Sequence, residues 1–169
     1  MRKEFAIFAS SINDTKGLYR LIDQLASINK NLYHNLSGTI VSKTKGFLSP
    51  SLETIFGYLE EQGLEPEGDT PQKQFLEAII TELKSVPMVK ITLAFEPDDS
   101  FTAKINETIS ALAGQKVILD ILVNHHIVGG AVVEYRGKFK DYSMEPRVDQ
   151  YLEEELKKEI LADQKESQT

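Results

Sequence analysis

The chain has 169 residues, with 19 basic and 26 acidic side chains for a net charge of −7, and it has no cysteine. That length holds one domain or two small ones. The acidic balance, with no evident basic patch, argues against broad nucleic-acid or anionic-membrane binding, and the missing thiols exclude disulfides, thiolate metal sites and a cysteine nucleophile.

At the start, Met1 to Ala9 places positive charge before apolar residues, but Glu4 interrupts the run, which is too short for a secretory signal. No stretch reaches the roughly 20 apolar residues that span a bilayer, so a soluble, non-exported protein is expected. Phe5, Phe8, Ala9 and Ile12 share one helical face and predict a first helix over Arg2–Ser11. Asn13-Asp14-Thr15 ends it and caps a second, Lys16–Asn35, with the stripe Leu18, Ile22, Leu25, Ile28, Leu32 and Leu36. Ser37 to Leu48 reads as a connection. Ser49-Pro50 supplies a cap and a proline at the first helical position for a third helix, which buries Leu52, Ile55, Phe56 and Leu59 and stops at Gly63. After a polar linker, Thr70-Pro71 repeats that start, and Phe75, Ile79, Leu83 and Val86 mark a fourth helix ended by Pro87.

Val89 to Phe95 alternates, with Val89, Ile91, Leu93 and Phe95 on one face, which predicts a half-buried strand. Asp98 or Asp99 then caps a helix in which Phe101, Ile105, Ile109 and Leu112 recur, ended by Gly114. The aliphatic run Val117 to Val123 predicts a central strand, parallel to the preceding one through a right-handed crossover. Asn124 to His126 turns the chain. Ile127 to Tyr135 resumes as a strand, interrupted by Gly129-Gly130, where a bulge or a close approach by another segment is expected. Arg136-Gly137 is a tight-turn candidate before a last strand, Lys138 to Ser143. Tyr151, Leu152, Leu156 and Ile160 mark a charged, amphipathic C-terminal helix. The fold class is therefore α+β: a helical bundle over 1–87, a small mixed sheet domain (β-α-β-β-β) over 88–145, and a helix and tail over 146–169.

Chemistry is scarce. His125-His126 invites a metal or acid–base reading, but adjacent strand residues face opposite ways and no third ligand sits at suitable spacing, so turn residues are the simpler reading. His34 reads as a residue near the end of the second helix. Gly129-Gly130 lacks the Lys-Ser/Thr of a phosphate loop and the third glycine of a dinucleotide loop. The run Glu153 to Glu155 beside Lys157-Lys158 fits a solvated helix face. No catalytic constellation, metal site or cofactor is indicated.

Ile127-Val128-Gly129-Gly130, then Asp141-Tyr142-Ser143, then Arg147, resemble in order and spacing the C-terminal signature of the F-type ATP synthase delta subunit family, called oligomycin sensitivity-conferring protein in mitochondria. The likeness runs from about Val89 to Leu156, and Phe5-Ala6-Ile7-Phe8-Ala9 resembles the family's first-helix pattern. The family has a six-helix bundle where four helices are read here; His125-His126 stands in place of Pro-Ser, and Tyr142 in place of a small residue. The resemblance implies a non-catalytic stator part, without cofactor, peripheral on the cytoplasmic side of the membrane and monomeric when isolated. Its helical domain would grip the alpha subunit's amino-terminal helix, with Phe5, Phe8 and Ile12 as candidates. Its C-terminal domain would hold the end of the b subunit, with Ile127, Val128, Tyr151 and Leu152 as candidates. One alternative is the E-type stalk subunit of vacuolar or archaeal ATPases, which needs a long charged amino-terminal helix. Another is a small-ligand α+β domain using His125, His126 and Tyr135.

Overall fold

The computed structural model describes residues 3–32, 38–44 and 46–144. Among these, α1 spans Lys3–Ser10, α2 Thr15–Asn31, α3 Ile40–Lys43, α4 Pro50–Glu61, α5 Asp69–Lys84 and α6 Asp99–Ala113; the strands are β1 Met88–Leu93, β2 Ile118–Val123, β3 Ala131–Tyr135 and β4 Lys138–Asp141. The chain divides into two compact units: 3–88 with 99–119, and 89–98 with 120–144. The expected C-terminal helix, with Arg147, Tyr151 and Leu152, lies outside the described residues, as do His34 and Leu36.

The helical unit forms where caps and apolar stripes agree. Asp14 accepts from the Gly17 amide at 2.8 Å, which satisfies one of the four free amides at the start of α2. Ser49 caps α4 with Pro50 in its first turn. The stripes close on one core, in which Phe8 meets Phe56 edge-to-face with ring centroids 5.5 Å apart, and α2 lies along α5. Two expectations change here. The segment read as a connection contains the short helix α3, because Thr39 accepts from the Ser42 amide and starts a turn that the composition conceals. And α5 begins at Asp69 behind Gly68, whose φ of 86° turns the chain into the helix, so Thr70 is inside the helix and not its cap.

The sheet has the order β2-β1-β3-β4, with β3 antiparallel to both neighbours. The Ile118 amide donates to Pro87 O and the Asn124 amide to Leu93 O. These two bonds share one sequence offset, so β2 runs parallel to β1 and the sheet is mixed, as expected. β2 is an edge strand, however, and not central. Its aliphatic run divides lengthwise: Val117, Ile118 and Leu119 are fully buried, and Ile118 belongs to the helical core, while Leu122 and Val123 are exposed. Asn13-Asp14 flanks its first residues, with the Leu119 amide 2.9 Å from Asn13 O.

Val89, Ile91 and Leu93 are buried along β1, but Phe95 lies past the strand end and is 48 % exposed. On α6 the apolar stripe is displaced: Leu112 is exposed, and the buried positions are Thr102 and Asn106. The strand expected over Ile127 to Tyr135 starts only at Ala131, since Gly129 and Gly130 at φ 69° and 79° leave the strand region. Arg136 and Gly137, at φ 51° and 74°, make the expected tight turn, with two successive left-handed residues that match the twist of the flanking strands.

Candidate functional site

The Gly129-Gly130 segment was expected to be approached closely, and it is. A Cβ on Gly130 would stand 2.3 Å from Tyr142 O and 2.8 Å from Ser143 Cα; one on Gly129 would meet Met144 Sδ at 3.4 Å. The crossing is held by backbone bonds: the Tyr142 amide donates to Ala131 O at 2.8 Å and the Met144 amide to Val128 O at 3.2 Å. Asp141 completes it by accepting from the Ser143 amide at 2.7 Å. That bond holds the Asp141 carboxyl below the usual carboxylate range. Gly129, Gly130, Asp141 and Ser143 thus form one backbone knot, which leaves Val128 51 % exposed and Ile127 half-buried at its rim.

In the helical unit, Phe8 and Ile12 are enclosed in the core. They present no face to a partner, because a stripe at helical spacing fills its own domain first. Phe5 is also buried but lines a groove of about 530 Å³ with Leu64, Pro66, Phe75 and Ile79, edged by Glu4, Glu65 and Glu82. Beside it stands a polar cluster that sequence reasoning missed. Lys43, its side chain fully buried, pairs with Asp69 and donates to Gln72 Oε1 at 2.8 Å. Gln72 Nε2 in turn donates to Gly38 O at 3.1 Å and Glu65 Oε1 at 3.2 Å.

Burial raises the Glu65 carboxyl above its ordinary 4.5. A raised folded value means that the native state binds this proton more readily than the unfolded chain, so Glu65 weakens the fold above its folded pKa. Lowering the pH through that value relieves the effect until the unfolded chain also protonates. The Glu65→Gln variant keeps the Oε1 acceptor and is expected to melt higher than wild type at neutral pH. The difference should vanish at about pH 4 and below in thermal melts; a variant that melts lower at neutral pH would show that the charge is needed.

A second missed group surrounds Asn106, fully buried on α6. Its Nδ2 donates to Asn13 O and to Val117 O, each at 2.8 Å. Its Oδ1 accepts from Lys116 Nζ at 2.7 Å, and partial burial pulls the Lys116 amine below its usual range. A lone asparagine at a buried helical position was the available signal, hidden by the apolar stripe beside it.

The histidines do not converge on a site. His125 and His126 are both exposed; His125 Nδ1 lies 3.0 Å from Ala94 O and the His126 amide donates to Asn124 Oδ1. Among the described residues no three His, Cys, Asp or Glu side chains could hold a metal ion, and no helix is long and apolar enough to cross a membrane.

The profile of the ATP synthase delta (OSCP) subunit family matches residues 3–156. Among individually curated proteins none matches. A chain in the cryo-EM structure of the Polytomella F-ATP synthase, primary rotary state 3, is similar at 18 % identity over 46 % of this chain and 99 % of that one, with a TM-score of 0.36. The family match, over most of the length, places the protein among the subunits of the F-type ATP synthase. Within that class the chain belongs to the delta (OSCP) family, the peripheral-stalk subunit of the complex, with roles in ATP synthesis and ion transport. The E-type alternative required a long amino-terminal helix, whereas α1 has 8 residues.

Proposed function

We propose that the helical part, 1–87, grips an amino-terminal helix of the alpha subunit, and that the sheet domain, 88–145, with the segment 146–169, holds the end of the b subunit. In this reading the chain joins the catalytic head to the stalk on the cytoplasmic side of the membrane, as a monomer when isolated, and turns over no substrate. The groove between α1 and α5 carries the reading. Its floor of Phe5, Leu64, Phe75 and Ile79 suits the apolar face of a docked helix, and the carboxylates of Glu4, Glu65 and Glu82 suit basic side chains on its flanks. Phe5 remains a docking candidate, while Phe8 and Ile12 belong to the core. Ile127 and Val128 are the described candidates for the b-subunit side, with Tyr151 and Leu152 beyond the described residues.

The test is calorimetric titration with a synthetic alpha amino-terminal peptide. Ala78 lines the groove and is half-buried, so Ala78→Trp is expected to fill it without emptying the core. Peptide affinity should fall by a factor of ten or more, with the melting temperature little changed. Unchanged affinity in that variant would move alpha docking elsewhere, and no binding by folded wild type to either the alpha peptide or the b-subunit end would overturn the reading.

A further inference from the structure

Among the described residues the sheet ends in β4, an edge strand on which every residue is exposed. Which of its backbone groups the described residues leave open follows from the ladder. The Tyr142 amide bonds to Ala131 O, and the register then pairs Val133 with Lys140 and Tyr135 with Lys138. Bonded and non-bonded pairs alternate in an antiparallel ladder, so Lys138 and Lys140 spend their backbone groups on β3. Phe139 and Asp141 direct theirs outward, where a further strand would take them up.

The side chains say what kind of strand. Arg136, Lys138 and Lys140 stand within five residues, a local concentration of positive charge that the net charge of −7 conceals. Lysines on an edge strand often serve only to repel stray strands. Phe139 between them is 71 % exposed, which does the opposite. It shares a sheet face with Glu134, its register partner, while the lysines share the other face with Val133 and Tyr135.

We propose that β4 is an interaction edge that accepts an extended partner segment as a fifth strand, and that the segment alternates acidic with apolar residues. Its acidic side chains lie beside Lys138 and Lys140, and its apolar ones cover Phe139. Recognition of this kind draws affinity from backbone bonds and specificity from alternate side chains. It does not rest on the alpha-subunit reading, since the groove lies on other elements.

The experiment uses the full chain and a blocked peptide of alternating Glu and Val, about eight residues long, read by fluorescence anisotropy and by exchange of the Phe139 and Asp141 amides. Binding is expected, with slowed exchange at both amides. Affinity should fall about tenfold or more when Lys138→Glu and Lys140→Glu are combined, and equally when the peptide is N-methylated along its bonding edge. Methylation without effect would reduce the contact to charge alone and overturn strand addition. So would protected Phe139 and Asp141 amides before any peptide is added, which would mean that this chain's own residues 145–169 or a second copy already occupy the edge. Absence of binding by folded protein, while the alpha peptide still binds, would overturn this proposal and leave the groove reading standing.

Discussion

Replacing Gly130 with alanine is expected to destabilise the protein by about 3 kcal/mol or more, and Gly137→Ala by only about 1 kcal/mol. Both glycines are left-handed, at φ 79° and 74°, so both variants meet the same backbone preference. They differ in surroundings. A Cβ on Gly137 meets nothing within 4 Å, whereas one on Gly130 would press against Tyr142 O at 2.3 Å. A carbonyl oxygen in a paired backbone cannot swing aside as a flexible side chain can, so Tyr142 to Met144 must shift as a piece. The bonds from the Tyr142 and Met144 amides go with it. Denaturant midpoints of the two variants measure the difference, and equal losses would mean that the crossing yields more easily than its geometry implies. A further readout is the Ser143 amide, which Asp141 accepts and whose exchange should quicken in Gly130→Ala only.

The second large effect is expected at Asn106. Asn106→Ala takes the side-chain donor from Val117 O, leaves Asn13 O with the Leu119 amide alone, and removes the 2.7 Å acceptor of Lys116 Nζ, in a place with little water to replace them. Buried groups left unpaired lose about 1–3 kcal/mol each, so a loss of about 3 kcal/mol is expected in urea unfolding. The Leu119 amide, bonded to Asn13 O, should lose exchange protection alongside. Combining the change with Lys116→Met should be less than additive, since the two share one network. A loss below about 1 kcal/mol, or strict additivity, would reduce Asn106 to filler.

How much of this could be read from the sequence depends on whether local and tertiary signals agreed. Where they did, the elements were legible: Ser49-Pro50 begins α4, Pro87 ends the fourth long helix, and Arg136-Gly137 turns the hairpin. The knot at Gly129-Gly130 was also legible in outline, because paired glycines have few uses inside a β-rich stretch. Its partner, the Tyr142–Met144 backbone, was not, since nothing in residue type announces which segment will cross. β2 misled because a near-continuous aliphatic run cannot distinguish a strand covered on both faces from one whose first half enters a helical core. α6 misled for the opposite reason. Its apolar residues suggested the inner face, while Asn106 took that place by saturating every polar atom it carries. The groove was half legible: Phe5 was named for a stripe, but Leu64, Pro66, Phe75 and Ile79 reach it only through folding.

The position of Asn106 matters for a part that bears load. Apolar surfaces resist being pulled apart, yet they resist sliding poorly, because hydrophobic attraction has no preferred direction. Hydrogen bonds weaken steeply once tilted. A single amide that grips two carbonyls and one ammonium acts as a dowel between α6, the α1–α2 turn and the residues just before β2. It turns a greasy contact into a keyed one, which resists sliding as well as separation.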